Sequence, residues 1–217
     1  MRFLRFWEPE ESVGQAWHDA VRDLDGETHF GEASVAYDSV KASVGILFRS
    51  LGGPAGAEIA PYAASVSKHR LSLKRLAAHD VDHVTQASYD GLRLALPAEI
   101  ALFEDAALSR GLYLWLGAIA ALIETPFEAP DDLLQLDLAM LRAAHLAERR
   151  TLERLPGLRG LRAALGDKLL ATRRTPSLPK QEAELEAAIR ALLAQAAPEA
   201  GDSAMLRAIR DPSSDLS

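Results

Sequence analysis

The chain has no cysteine among its 217 residues. That absence removes disulfides, zinc–thiolate sites and thiol nucleophiles together, and it fits a reducing compartment, so a cytoplasmic location is expected. No stretch reaches the roughly 18 consecutive apolar residues of a membrane span. The nearest, residues 111–123, reads as a buried helix, and no membrane insertion is expected. The opening Met1-Arg2-Phe3-Leu4-Arg5-Phe6-Trp7 runs directly into Glu8, Glu10 and Glu11, which is too short an apolar stretch for a signal peptide. The phosphate-cradling Gly-x-x-x-x-Gly-Lys-Ser/Thr loop, the His-Glu-x-x-His zinc helix and the Gly-x-Ser-x-Gly nucleophile elbow are all missing. Near the carboxy terminus, Asp211-Pro212-Ser213-Ser214-Asp215 puts an acid where an Asp-x-Ser-x-Ser metal-adhesion motif needs its second serine. No catalytic residue, metal site or cofactor is assigned to the chain on these grounds.

What is present is ordinary globular material. Hydrophobic residues make up 48% and charged residues 25%, enough for a sizeable core. The net charge of −7 conceals an asymmetry. Residues 139–180 hold ten Lys/Arg and only three acids. The local excess of seven positive charges leaves fourteen net negative charges on the rest of the chain. Such a dipolar chain suits docking between charged protein surfaces, although a run of charge more often only solvates a helix face. Nucleic acid is not an expected partner, because the basic helices lack interleaved aromatics for base stacking.

Periodicity predicts an α+β fold, predominantly helical: a helix bundle with a small antiparallel β-sheet inserted near residues 57–96. A first helix is expected over 8–24, with Pro9 in its first turn and Val13, Trp17, Val21 and Leu24 on one stripe. A second is expected over 35–51, stopped by Gly52-Gly53-Pro54. Between 57 and 96 the period drops to two, at Leu71/Leu73 and at Leu92/Leu94/Leu96, with Ala78-His79-Asp80 and Tyr89-Asp90-Gly91 as turns. That pattern predicts two to four short antiparallel strands with one wet face. Helices follow over 106–123 (apolar on nearly every face), over 131–155 with Asp131 as its cap, over 158–170 and over 181–195. The chain thus divides into a helix–sheet–helix region over 1–124, a basic helical region over 125–197 and a flexible tail over 198–217.

Few residues invite chemistry. His79-Asp80-x-Asp82-His83 has the donors and spacing to hold a divalent ion if a turn brings them together. A small metal-binding helical enzyme using His79, Asp82 and His83 is one reading; a solvated hairpin loop is the plainer one. His145 lies on the apolar stripe of the 131–155 helix near Glu148, as expected of a buried histidine paired with a carboxylate. Trp17 and Trp115 fit helix cores, whereas Trp7 beside Phe3 and Phe6 is either an exposed binding hot spot or, the plainer reading, tucked under the first helix.

Three blocks, in order, resemble the adaptor proteins of the CbbO/NorD family. They are Glu8-Pro9-Glu10-Glu11-x-Val13-Gly14-x-x-Trp17-His18, then Ala33-x-Val35 leading into Gly45-Ile46-Leu47-Phe48-Arg49-Ser50-Leu51-Gly52-Gly53. The third is Leu96-Pro97-x-Glu99-Ile100-x-Leu102-Phe103 with Arg110-x-Leu112-Tyr113-Leu114-Trp115-Leu116. The resemblance covers roughly residues 8–195. It implies pairing with a hexameric MoxR-type AAA+ ATPase, and a client gripped by a carboxy-terminal von Willebrand factor A domain. In one branch the client is inhibited rubisco and the assembly is a CbbQO-type rubisco activase; in the NorD branch the complex activates nitric oxide reductase. The resemblance does not reach an A domain in this chain, so client grip through a metal is not carried over. The main expectation is therefore a non-enzymatic adaptor domain that docks a client-recognition protein onto the ATPase within a rubisco activase. The nitric oxide reductase activator is the alternative. The expected docking residues are Arg142, Arg149, Arg150, Arg154, Arg159 and Arg162, with Glu8 and Trp17 as a second surface.

Overall fold

The computed structural model describes residues 30–61, 87–124, 132–173, 178–211 and 213–214. The expected first helix, the Leu71/Leu73 strand and the His79–His83 cluster lie outside them. Among the described residues six helices surround two small sheets, which bears out the predominantly helical α+β class.

The segment expected to be one helix over 35–51 divides. Val35–Ala36 forms strand β1, Tyr37–Ser39 a 3-10 turn, and only Lys41–Ser50 is helix α1. Pairing outweighs helix propensity at the start, because β1 lies antiparallel to β5 (Glu99–Ile100), with Val35 opposite Ile100. The Tyr37 hydroxyl donates to the Ile59 carbonyl at 2.7 Å and fixes the turn. The carboxy-terminal stop is as expected. Gly52 takes φ +106, its N–H bonds to the Arg49 carbonyl, and the Gly53 N–H reaches back to Phe48 at 3.0 Å. This reciprocal pattern closes a helix and favours glycine at the left-handed position.

The other sheet has the order β2 (Glu58–Pro61), β4 (Arg93–Leu96), β3 (Ser88–Tyr89). The β3–β4 pair is antiparallel across the expected turn, where Gly91 has φ +90 and the Asp90 carboxylate accepts from the N–H groups of Leu92 and Arg93. β2 runs parallel to β4, however, with Glu58 opposite Arg93. The sheet is therefore mixed, because residues 62–86 provide the long connection that a parallel pair requires and a hairpin does not. The wet face is also absent on the central strand: Leu94, Ala95 and Leu96 are all buried. Leu92, grouped with them by period two, sits in the turn and is 79% exposed.

Helix α2 (Ala106–Leu122), capped by the Asp105 carboxylate, is the axis of the molecule. It packs on α1, α3, α4, β1 and β4, and Leu112, Tyr113, Trp115 and Ala118 are essentially inaccessible. The Tyr113 hydroxyl donates to the Pro97 carbonyl at 2.8 Å deep in this core, and burial, seconded by Glu99 and Tyr37, raises its pKa. Helix α3 (Leu133–Arg154) is capped by Asp132 rather than Asp131, its carboxylate accepting from the Gln135 N–H at 2.9 Å. Pro156–Leu158 makes a 3-10 turn into α4 (Arg159–Thr172), and α5 (Lys180–Leu193) follows.

The expected fraying beyond residue 198 is not seen over Ala204–Arg210, which forms α6. Ser203 caps it, and Leu206 and Ile209 are buried in a second core with Leu138, Leu141, Leu169, Ala188, Ile189 and Leu193. Seven residues are too short for a strong periodic signal, and tertiary burial of Leu206 and Ile209 makes the helix. At the α4–α5 crossing, a methyl on Gly166 would fall on the Leu193 carbonyl oxygen and the Arg162 guanidinium. Gly166→Ala is expected to lower stability by about 1–3 kcal/mol through overpacking; a melting temperature equal to wild type would contradict so close a crossing.

Candidate functional site

The sequence-predicted docking residues separate in the structure. Glu8 and Trp17 lie outside the described residues, as do His79, Asp82 and His83. Four of the six arginines are committed within the chain, and each reaches a backbone carbonyl or acid of another element. Arg142 Nε donates to the Ala208 carbonyl of α6 at 2.9 Å, and its Nη2 reaches the Ser214 hydroxyl. Arg150 contacts the last carbonyl of α2, at Leu122, and pairs with Glu124 at 2.7 Å. Arg154 donates at 2.9 Å to the Leu51 carbonyl, where α1 ends. Arg149 and Arg159 are exposed and make no hydrogen bond or ion pair among the described residues.

Arg162 is the most constrained. Its side chain is 5% exposed and points three ways: Nε to Glu148 at 2.9 Å, Nη1 to the Leu193 carbonyl at 3.1 Å, Nη2 to the Leu192 carbonyl at 2.9 Å. Its guanidinium carbon stands 6.0 Å from the Trp115 ring centroid. The last turn of α5 has carbonyls without helical partners, and a planar cation with diverging donors suits them better than an ammonium. A second buried arginine, Arg173, grips Glu186 of α5 through Nε and Nη2 at 2.7 and 2.6 Å, and Arg190 shares the same carboxylate at 2.8 Å. Burial pushes the Glu186 carboxyl up, but the two guanidiniums outweigh it and hold it below its ordinary value. Arg173, just past α4, and Glu186 and Arg190 of α5 thus form one charged cluster. Nothing in the periodicity separated these inward arginines from the outward ones; only the neighbouring helix ends do.

Beside this clamp lies a cavity of about 110 Å³. Trp115, Leu116 and Ile119 of α2, with Ile123 just past its end, form one wall, and Ile189, Leu192 and Leu193 of α5 another. Tyr89 and Leu94 close it from the sheet, while Ala144, His145, Glu148 and Arg162 line the remaining side. Ile119, Ile123, Ala144 and His145 retain partial exposure, so the space opens to solvent there. The expected His145–Glu148 pair does not form: the Glu148 carboxylate is held by Arg162 at 2.9 Å and by Gln195 at 3.3 Å. Burial lowers the His145 pKa, Arg149, Arg210 and Arg162 act the same way, and Glu148 opposes them. His145 is therefore neutral at neutral pH. Among the described residues no three His, Asp or Glu converge on a point where a metal could sit, and no helix is long and apolar enough to cross a membrane.

With the geometry in place, comparison with known proteins identifies relatives. The chain is similar to the protein NorD of Brucella suis, 36% identical over 195 residues, covering 89% of this chain and 31% of that protein. It is similar to the protein NorD of Stutzerimonas stutzeri, 31% identical over 183 residues, covering 84% of this chain and 28% of that protein. A protein of Pseudomonas aeruginosa described as uncharacterised is 34% identical over 199 residues, covering 87% and 29%. Two of these relatives carry the NorD name. The chain spans about a third of the length of the curated relatives it matches. No protein-family model matches the chain, and no solved structure matches it.

Two consequences of this geometry can be measured. Arg162→Met keeps the stem but leaves the Leu193 carbonyl without a donor and takes from Glu148 its charged partner, and is expected to cost about 3 kcal/mol; Glu148→Gln, which keeps an acceptor, should cost less. Denaturant titration checks the order, and equal losses would refute the clamp. His145 binds its proton less readily folded than unfolded, so its contribution is complete above the ordinary histidine pKa and is lost as pH falls through it. Acidification from pH 7 to 5 should therefore destabilise the wild type more than His145→Gln, by less than about 1.4 kcal/mol per pH unit, the limit for one proton. Parallel stability profiles for the two proteins would show that His145 does not contribute.

Proposed function

We propose that this chain is the docking part of a NorD-type accessory protein, one that helps activate nitric oxide reductase by holding partner proteins and that breaks no bond in a substrate itself. The observation that carries this reading is the 36% identity to protein NorD across 195 residues. The nitric oxide reductase branch is favoured over the rubisco activase branch because the named relatives carry the NorD name. The partner in this reading is a MoxR-type AAA+ ATPase ring, as the resemblance of the three sequence blocks implies. Client contact belongs to a domain outside these residues.

The internal bonds of the arginines favour a smaller docking surface than the whole basic set. Arg142, Arg150, Arg154 and Arg162 serve the fold, so their replacement tests stability rather than docking. Arg149 and Arg159 are the members of the basic set free to meet an acidic surface. Both are exposed, and a contact through them is screened over about 10 Å at 0.1 M salt. Retention of the cognate ATPase by the immobilised chain should therefore fall as salt rises. Arg149→Glu with Arg159→Glu should weaken it about tenfold at low salt, with the melting temperature unchanged. In cells, nitric oxide reductase activity should fall when the double substitution is placed in the complete protein. Undiminished ATPase retention by the double variant would overturn this docking surface. Unchanged reductase activity in a strain lacking the complete protein would overturn the activator role.

A further inference from the structure

The cavity between α2, α3 and α5 shares only the neighbouring Arg149 with the docking surface just described, and it has the dimensions and chemistry of a receptor for one side chain. Its volume of about 110 Å³ is somewhat below the roughly 150 Å³ of an engineered cavity that stays dry and takes up benzene. It is therefore sized for one aromatic ring or branched aliphatic group. The walls are apolar, with Trp115, Ile119, Ile189 and Leu192 among them, and the open side passes Ala144 and His145. Arg149, exposed on α3 one helical turn beyond His145, adds positive charge beside the opening, where the Glu148 carboxylate is already bound by Arg162. Arg210 is paired with Asp202, so the uncommitted charge is that of Arg149. An apolar pocket of one-residue size at a rim with spare positive charge is how a protein surface accepts an anchoring side chain, with acidic neighbours completing the contact.

We propose that this cavity is a second partner-binding site, which takes a Phe or Leu side chain from an acidic segment of a partner protein. The proposal rests on the accessory reading in so far as the chain's business is binding proteins. Its occupant is defined by the pocket alone. Ala144 forms part of the open wall, and a phenyl group placed there would occupy the space an incoming ring needs. Arg149 would meet the flanking carboxylates.

The test is a titration of the 217-residue chain with the peptide acetyl-Asp-Glu-Phe-Glu-Asp-amide, followed by backbone amide resonances. Saturable shifts are expected at Ala144, His145 and Ile189. Replacing the peptide's Phe by Ala should weaken binding about tenfold, the scale of one lost anchor. Exchanging its acids for lysines, or Arg149→Glu in the protein, should weaken it about threefold, as an exposed pair would. Ala144→Phe should abolish the shifts while the melting temperature stays at or above the wild-type value. The proposal is overturned by equal binding to Ala144→Phe, by shifts confined to other surfaces, or by none at millimolar peptide. A large fall in melting temperature on Ala144→Phe would mean that the chain itself fills the space. Concentration-dependent self-association lost in that variant would mean that a second copy does. Failure of ATPase retention leaves this titration untouched. A failed titration with retention intact removes the pocket and keeps the accessory role.

Discussion

Guanidinium groups laid across the carboxy-terminal ends of neighbouring helices hold this molecule together. An α-helix leaves its last carbonyls without internal partners, and here arginines from other elements supply them. Arg154 serves α1, Arg150 serves α2, Arg162 serves α5, and Arg190 reaches the Arg173 carbonyl just past α4. Each bond runs between elements, so each fixes the position of one helix relative to another as well as closing a helix end. The attraction between a cation and the negative end of a helix dipole acts in the same direction. Five of the ten Lys/Arg of residues 139–180 are engaged inside the chain, with carbonyl ends, Glu124, Glu148 and Glu186 as their counterparts.

The apolar core depends on the same arrangement. α2 can be apolar on nearly every face because α1, α3, α4 and the sheet strands each cover part of it. α4 can approach α5 closely because Gly166 has no side chain where the Leu193 carbonyl lies. That approach brings Arg162 within reach of two carbonyls and sets the guanidinium beside the Trp115 ring. The cavity lies where this polar clamp meets the apolar faces of α2 and α5. It has apolar walls and a charged edge for that reason.

Much of the architecture was legible in the sequence, and the failures have physical causes. The α2 helix, the Gly52-Gly53 stop and the Asp90-Gly91 turn were readable because periodicity and turn chemistry are local. The strand at Val35–Ala36 was not, since its partner lies 65 positions away at Ile100, and only the pairing makes it a strand. The parallel β2–β4 register was hidden for the same reason. α6 was missed because two buried residues in seven carry little periodic signal. At the candidate site, composition drew attention to the arginines but treated them as one surface. Whether an arginine points inward depends on where another helix ends, which no window of sequence contains. His145 likewise seemed to have Glu148 as its partner by spacing, until Arg162 arrived from α4 to take that carboxylate.

The three-way contact of Arg162 constrains how the sequence can drift over generations. A planar fork that donates to Glu148, Leu192 and Leu193 has no equivalent in lysine, whose ammonium is a single point of charge. Position 162, and position 173 with its forked grip on Glu186, should hold to arginine in relatives whatever they bind. Positions 149 and 159 carry no such obligation to the fold. Variation there is free to follow the changing surface of a partner, so one basic segment can record two histories, one of architecture and one of acquaintance.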